Sequence, residues 1–139
     1  MIGAPQPDGS WGDGWHAVLA VGAGGFLGAL LRWGTGILVT RVLALESHWA
    51  TSLVNLSGCL LIGVLAAWLE QRPGGSSGLH LFVVVGGLGA FTTFSTFGLD
   101  CVRLIEAGRV WAAWAHVIVQ PTLGLGAVLA GRALALRLF

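Results

Sequence analysis

The sequence predicts an all-α integral membrane protein built on four transmembrane helices. Composition gives the first reason: apolar residues make up 55% of the 139 and charged residues only 9%, against roughly 25% charge in soluble domains. The second is segmentation. Four apolar stretches, at about 17–39, 50–69, 79–97 and 110–131, together hold 84 residues and a single charge, Arg32. Each has about the 20 residues that a helix needs to cross roughly 30 Å of hydrocarbon. The third is glycine, whose 23 copies follow no collagen period and sit inside the apolar stretches, as small residues do where helices pack closely in lipid. Barrel-type alternation is absent, and four segments would not close a barrel. Acidic and basic residues nearly cancel at net +1, which excludes a nucleic-acid footprint.

The elements follow in order. Residues 1–15, with Pro5, Pro7, Asp8 and Asp13, read as a disordered arm, leaving one four-helix domain over 16–139. No basic stretch precedes the first apolar run, so it is not read as a secretory signal. Connections are short, at 40–49 and at 70–78 with Pro73-Gly74-Gly75. Trp15, Trp49, Trp68, Trp111 and Trp114 mark helix ends, as an aromatic belt does. Cys59 and Cys101 read as reduced, buried thiols. His16, His48, His80 and His116 are scattered near helix ends and read as interfacial, with no metal-ligand spacing. Asp100, Arg103 and Glu106 recur against Leu99, Val102 and Ile105, which predicts a short amphipathic helix along or just outside the membrane, ended by Ala107-Gly108.

Four crossings put Arg72, Arg132 and Arg137 on one side and Arg41, Arg103 and Arg109 on the other. Arginines balanced in this way give no preferred orientation under the positive-inside rule. Two readings follow: insertion both ways with an antiparallel homodimer, or one fixed orientation with a weak signal.

Three features carry chemistry. Arg32 is a charge within a membrane segment, either a snorkelling anchor or an anion-attracting vestibule residue. Asn55 shares a helix face with Thr51, four residues earlier, and its carboxamide needs a partner in lipid, whether as helix–helix glue or as a pore donor. The run Gly89-Ala90-Phe91-Thr92-Thr93-Phe94-Ser95-Thr96-Phe97 packs hydroxyls and rings together. Successive hydroxyls compete for backbone hydrogen bonds, so the third helix either breaks near its centre or continues with its hydroxyls bonded back to the preceding turn. A break at membrane depth must be buried or line a cavity, and its freed carbonyls suit a cation. The positive edges of phenylalanine rings suit a partly dehydrated anion, with Asn55, Ser95 and Thr96 as further donors; the alternative is that the rings simply pack. None of the four apolar stretches carries a carboxylate or a nucleophile–base pair, so the chain does not read as an enzyme.

Gly25-Phe26-Leu27-Gly28-Ala29-Leu30-Leu31-Arg32, Thr51-Ser52-Leu53-Val54-Asn55-Leu56-Ser57-Gly58 and Gly89 through Phe97 together resemble the bacterial fluoride channel (fluoride exporter) family, over about residues 17–134. The resemblance implies an antiparallel, dual-topology homodimer in the bacterial inner membrane that passively exports fluoride. It implies a structural sodium ion held by the carbonyls of Gly89 and Thr92. It makes Phe94 and Phe97 the pore phenylalanines and Asn55 the pore amide, with Ser95, Thr96 and Thr51 nearby and Arg32 in the vestibule. One departure stands out: the family places hydroxyls on the fourth helix, where this chain has Gln120-Pro121-Thr122. Gln120 and Thr122 are the candidate pore residues there, and the departure raises the alternative of an unlike-pair channel with a homologous partner subunit. A small proton-coupled multidrug exporter, similar in size and topology, is more distant, because the apolar stretches carry no carboxylate to titrate.

Overall fold

The structure, a computed structural model, describes residues 14–71 and 77–139. Most of the expected disordered arm lies outside these residues, but Trp15 is already helical. Among the described residues the regular structure is helical. Helix α1 (Trp15–Ile37) runs on into a π-helical turn, Leu38–Val42. Helix α2 spans Ser47–Glu70. Helix α3 covers 77–91 as a turn Ser77–His80, a π-helical stretch Leu81–Leu88 and a last turn Gly89–Phe91. Helix α4 (Phe94–Glu106) and helix α5 (Val110–Leu138) complete the chain. Four stretches, Trp15–Val42, Ser47–Glu70, Gly78–Glu106 and Val110–Leu138, are long and apolar enough to cross a bilayer.

The packing suits lipid. In hydrocarbon no hydrophobic force drives helices together, so close van der Waals contact between small residues does. The most extensive contacts are α2 with α5 and α1 with α3. A methyl group on Gly63 of α2 would strike the carbonyl oxygen of Val128, and one on Gly131 of α5 would strike that of Leu60. Many of the buried residues are small, Val39, Val54, Ala67, Ala113 and Ala135 among them, while many large side chains, such as Phe26, Trp111 and Leu125, face outward. Helix α5 continues through Pro121 without interruption. Proline lacks an N–H, so the Val117 carbonyl is left without its usual donor.

Helix α4 differs from the amphipathic surface helix read from the sequence. It starts at Phe94, continuous with the phenylalanine run, and it buries Phe97, Asp100, Cys101 and Leu104. Leu99, Val102 and Ile105 face outward instead. The stripe that matters continues the Phe97 face, at helical spacing of three and four residues. The predicted stop at Ala107-Gly108 is present. Gly108 has φ +74, its N–H donates to Ile105, and Arg109 N–H donates to Leu104 at 2.8 Å, the two bonds of a Schellman motif.

Glycine contacts this close leave no room for relaxation. Gly63→Ala is expected to lower the unfolding free energy of the detergent-solubilised protein by about 3 kcal/mol, the upper end for overpacking. Gly126→Ala, where a methyl meets nothing within 4 Å, is expected to leave it unchanged or slightly higher, since alanine is the better helix former. Denaturant titrations of both variants check the contrast.

Candidate functional site

Between α3 and α4, Thr92 and Thr93 are extended, with φ −78, ψ 158 and φ −154, ψ 119 respectively. At membrane depth such backbone needs partners. Asn55 of α2 supplies them to Thr93. Its Nδ2 donates to the Thr93 carbonyl at 2.9 Å, and its Oδ1 accepts from the Thr93 N–H at 2.8 Å. One carboxamide thus satisfies both polar groups of one residue. Gly58, three residues further along α2, makes room, since a methyl there would overlap the Thr92 methyl.

The Thr93 hydroxyl caps α4. It accepts from the Thr96 N–H at 3.2 Å, donates to Thr96 Oγ1 at 3.0 Å and lies 3.3 Å from Ser95 Oγ. Two diverted donors follow. In a continuous helix, Thr93 N–H would serve the Gly89 carbonyl and Thr96 N–H the Thr92 carbonyl. The first goes instead to Asn55 and the second to the Thr93 hydroxyl. Gly89 and Thr92 therefore present carbonyl oxygens without their helical donors. Arg32, half-buried on α1, reaches the Thr92 carbonyl with Nη1 at 3.4 Å. It is thus turned towards the extended pair, which a purely snorkelling anchor would not require.

An open cleft of about 800 Å³ runs beside this segment, lined by Asn55, Gly89, Thr92, Thr93, Phe94, Phe97 and Gln120 among others. Phe94 and Phe97 pair with ring centroids 5.6 Å apart. Phe97 is buried, whereas Phe94 is 83% exposed in the single chain. Gln120 is buried and its Oε1 accepts from Ser52 at 3.3 Å. Thr122 is exposed and donates back to the Ile118 carbonyl; it does not line the cleft. Ser95 and Thr96 are exposed at the start of α4. Thr51 is buried and donates to Asp100 Oδ2 at 2.6 Å.

Asp100 corrects the sequence reading twice. It belongs to the buried face of α4, at 2% exposure, and it is a carboxylate inside a membrane-length helical stretch. The third apolar stretch ended at Phe97 and so left it out. Its partner lies 49 residues away in the chain, which no local pattern reveals. The histidines also regroup: His48 and His116 stand with ring centroids 5.8 Å apart, and His116 lies 5.0 Å from Phe97. Both cysteines are free.

This arrangement defines a small polytopic membrane protein with a mixed aromatic and hydrogen-bonding cleft inside the bilayer. The family described as CrcB-like protein, Camphor Resistance (CrcB), matches residues 19–132, and the chain belongs to it. The chain is 43% identical over 117 residues to a protein of Nitrobacter hamburgensis named Fluoride-specific ion channel FluC 1, covering 84% of this chain and 93% of that one. It is 45% identical over 116 residues to the Fluoride-specific ion channel FluC of Stutzerimonas stutzeri, covering 84% and 94%. The protein of that name from Hyphomonas neptunium is 40% identical over 125 residues, covering 89% and 98%.

Removing the Asn55 carboxamide strands two buried backbone groups, at about 1–3 kcal/mol each. Asn55→Ala is expected to destabilise the folded protein by roughly 3 kcal/mol, read by denaturant titration in detergent. Thr51→Val takes away the hydroxyl partner of buried Asp100 and is expected to cost about 2 kcal/mol in the same assay, the range for leaving a buried polar group unsatisfied.

Proposed function

We propose that the chain is a fluoride channel of the bacterial inner membrane, which lets the ion leave the cytoplasm passively down its gradient. The observation that carries this is the Phe94–Phe97 pair on one cleft with Asn55 and Gln120, in a chain that is 43% identical over 117 residues to a protein named as a fluoride-specific channel. Ring edges offer a weak positive potential to a partly dehydrated anion. Hydroxyl and amide donors complete its shell, and binding without a full charge stays weak enough to release. Nothing in this chemistry calls for a covalent step, so the protein acts as a conduit and not as an enzyme.

The working unit is an antiparallel homodimer. The balanced arginines support it. So does Phe94, which is mostly exposed in the single chain and has a natural cover in a second copy. The Gly89 and Thr92 carbonyls suit a structural sodium ion, because hard cations take oxygen ligands and both have lost their helical donors to Asn55 and Thr93. When bound, the ion supplies a fixed positive charge that holds these carbonyls in place. Arg32 beside Thr92 adds a positive field that draws anions towards the same region. Gln120 and His116 on α5, in place of hydroxyls, favour as second reading an unlike pair in which a homologous subunit completes the fourth-helix lining. A proton-coupled multidrug exporter is the more distant reading: α1 carries no carboxylate, and although Asp100 stands in a membrane-length stretch, membership of the CrcB-like family separates the two.

Liposomes holding only the purified chain are expected to release fluoride rapidly and to retain chloride, followed by ion-selective electrodes without a proton gradient. Absence of fluoride release from folded protein contradicts the homodimeric channel. Phe94→Ile and Phe97→Ile are each expected to lower flux at least tenfold, equivalent to about 1.4 kcal/mol on the barrier, while leaving the dimer assembled on size exclusion. Thr92→Ser keeps the carbonyl and is expected to conduct within about threefold of the native chain, a difference of less than about 1 kcal/mol.

A further inference from the structure

Two carboxamides line the cleft, those of Asn55 and Gln120, and their partners leave them different things to offer an ion. Asn55 is spent on the backbone: its oxygen accepts from the Thr93 N–H and its Nδ2 donates to the Thr93 carbonyl. Gln120, buried on α5, is held at its oxygen, which accepts from Ser52 Oγ of α2 at 3.3 Å. Its Nε2 donates to no group among the described residues. Nor is that nitrogen a buried orphan, since among those residues His116 Nε2 is the one atom of that kind. A carboxamide NH2 carries two donors, so Gln120 turns two free N–H bonds to the cleft it lines.

Carboxamide nitrogen and oxygen are told apart by their partners, so the direction of the group depends on Ser52. A hydroxyl has one proton to give. Ser52 Oγ stands 2.9 Å from the His48 carbonyl as well, but that carbonyl lies four residues back on α2 and takes the helical N–H of Ser52. Gln120 Oε1 has no other donor among the described residues, and a buried acceptor left unpaired costs free energy. The hydroxyl proton is therefore needed at Gln120. Turned over, the carboxamide would give Nε2 to Ser52 and set its oxygen against an anion in the cleft.

We infer that Ser52 is a positioning residue, which holds the Gln120 carboxamide with its N–H donors facing the cleft so that they bind fluoride there. This rests on the fluoride-channel reading above. Ser52 does not itself line the cleft and acts through Gln120. An ionised acceptor such as fluoride takes stronger hydrogen bonds from these donors than a neutral one does. A carboxamide has no net charge, so the ion is released again.

The test is a double-mutant cycle on fluoride efflux from liposomes holding the purified chain, joined to nuclear magnetic resonance of the Gln120 side-chain amide. Gln120→Met, close in size and without N–H groups, is expected to lower efflux about tenfold, the ratio that one hydrogen bond to a charged partner carries. Ser52→Ala is expected to lower it about threefold, the ratio for a neutral hydrogen bond. Ser52→Thr keeps the hydroxyl and is expected to conduct like the native chain; Ser52→Cys, a weak donor of similar size, replaces Ser52→Ala if that variant does not fold. Added to Gln120→Met, Ser52→Ala is expected to cost nothing further, because its effect passes through Gln120. The Gln120 side-chain amide signal is identified by its loss in Gln120→Met. Sodium fluoride is expected to move it and sodium chloride to leave it still, and in Ser52→Ala the midpoint is expected at about threefold more fluoride. An amide signal that ignores fluoride, efflux unchanged in Ser52→Ala, or a Ser52→Ala loss of equal size in the Gln120→Met background overturns the inference and leaves the channel reading intact. Folded protein that passes no fluoride overturns both.

Discussion

A polypeptide that leaves the helix inside a bilayer must satisfy its backbone from within, and here one carboxamide does it. Asn55 takes both the N–H and the carbonyl of Thr93, which fixes the extended pair Thr92-Thr93 against α2. Several features depend on that bracket. Thr93 is held where its hydroxyl caps α4. The caps and diverted donors expose the Gly89 and Thr92 carbonyls. The direction in which α4 leaves places Phe94 and Phe97 on the cleft and carries Asp100 back to Thr51. Polar groups satisfied in this way are costly to disturb, because each alternative leaves buried donors or acceptors unpaired.

Helix α2 is the scaffold for this arrangement. Through Gly63 it lies in backbone contact with α5, which fixes its depth and rotation. Thr51, Asn55 and Gly58 then meet α4, Thr93 and Thr92 in turn. Their spacing of four and three residues puts them on one face of the helix. Small residues on the facing helices let the polar ones reach their partners, so packing and chemistry are one problem in this chain. Many of the large side chains are left to the outside.

The membrane architecture was legible because hydrocarbon thickness imposes a length and an apolar content that few soluble chains share. The polar residues Asn55, Thr92 and Thr93 stood out for the same reason, as groups that lipid does not solvate. Their pairing was not legible: the 38 residues between Asn55 and Thr93 leave no local trace. Asp100 was misplaced because its neighbours Leu99, Val102 and Ile105 give a convincing amphipathic pattern. In a soluble protein the apolar stripe would be the buried one, but in a membrane that logic inverts, and the face continuing from Phe97 is buried. His48 and His116 were read separately near helix ends, and only the parallel packing of α2 against α5 brings them together. Thr122 was singled out for its hydroxyl, yet the helix turns it outward.

The most direct measurement on the Asn55 bracket is amide hydrogen exchange at Thr93, followed by nuclear magnetic resonance on the labelled protein and on Asn55→Asp. Thr93 lies outside regular helix and accepts no protection from an intrahelical bond, so Asn55 is the source of its protection. Native Thr93 is expected to exchange as slowly as its helical neighbours Phe91 and Thr96. In Asn55→Asp the Thr93 N–H keeps an acceptor but its carbonyl loses the donor and faces a carboxylate, and exchange at Thr93 is expected to rise while α1 and α5 stay protected. Fast exchange at Thr93 in the native chain, or protection unchanged by the substitution, would contradict a backbone held by Asn55.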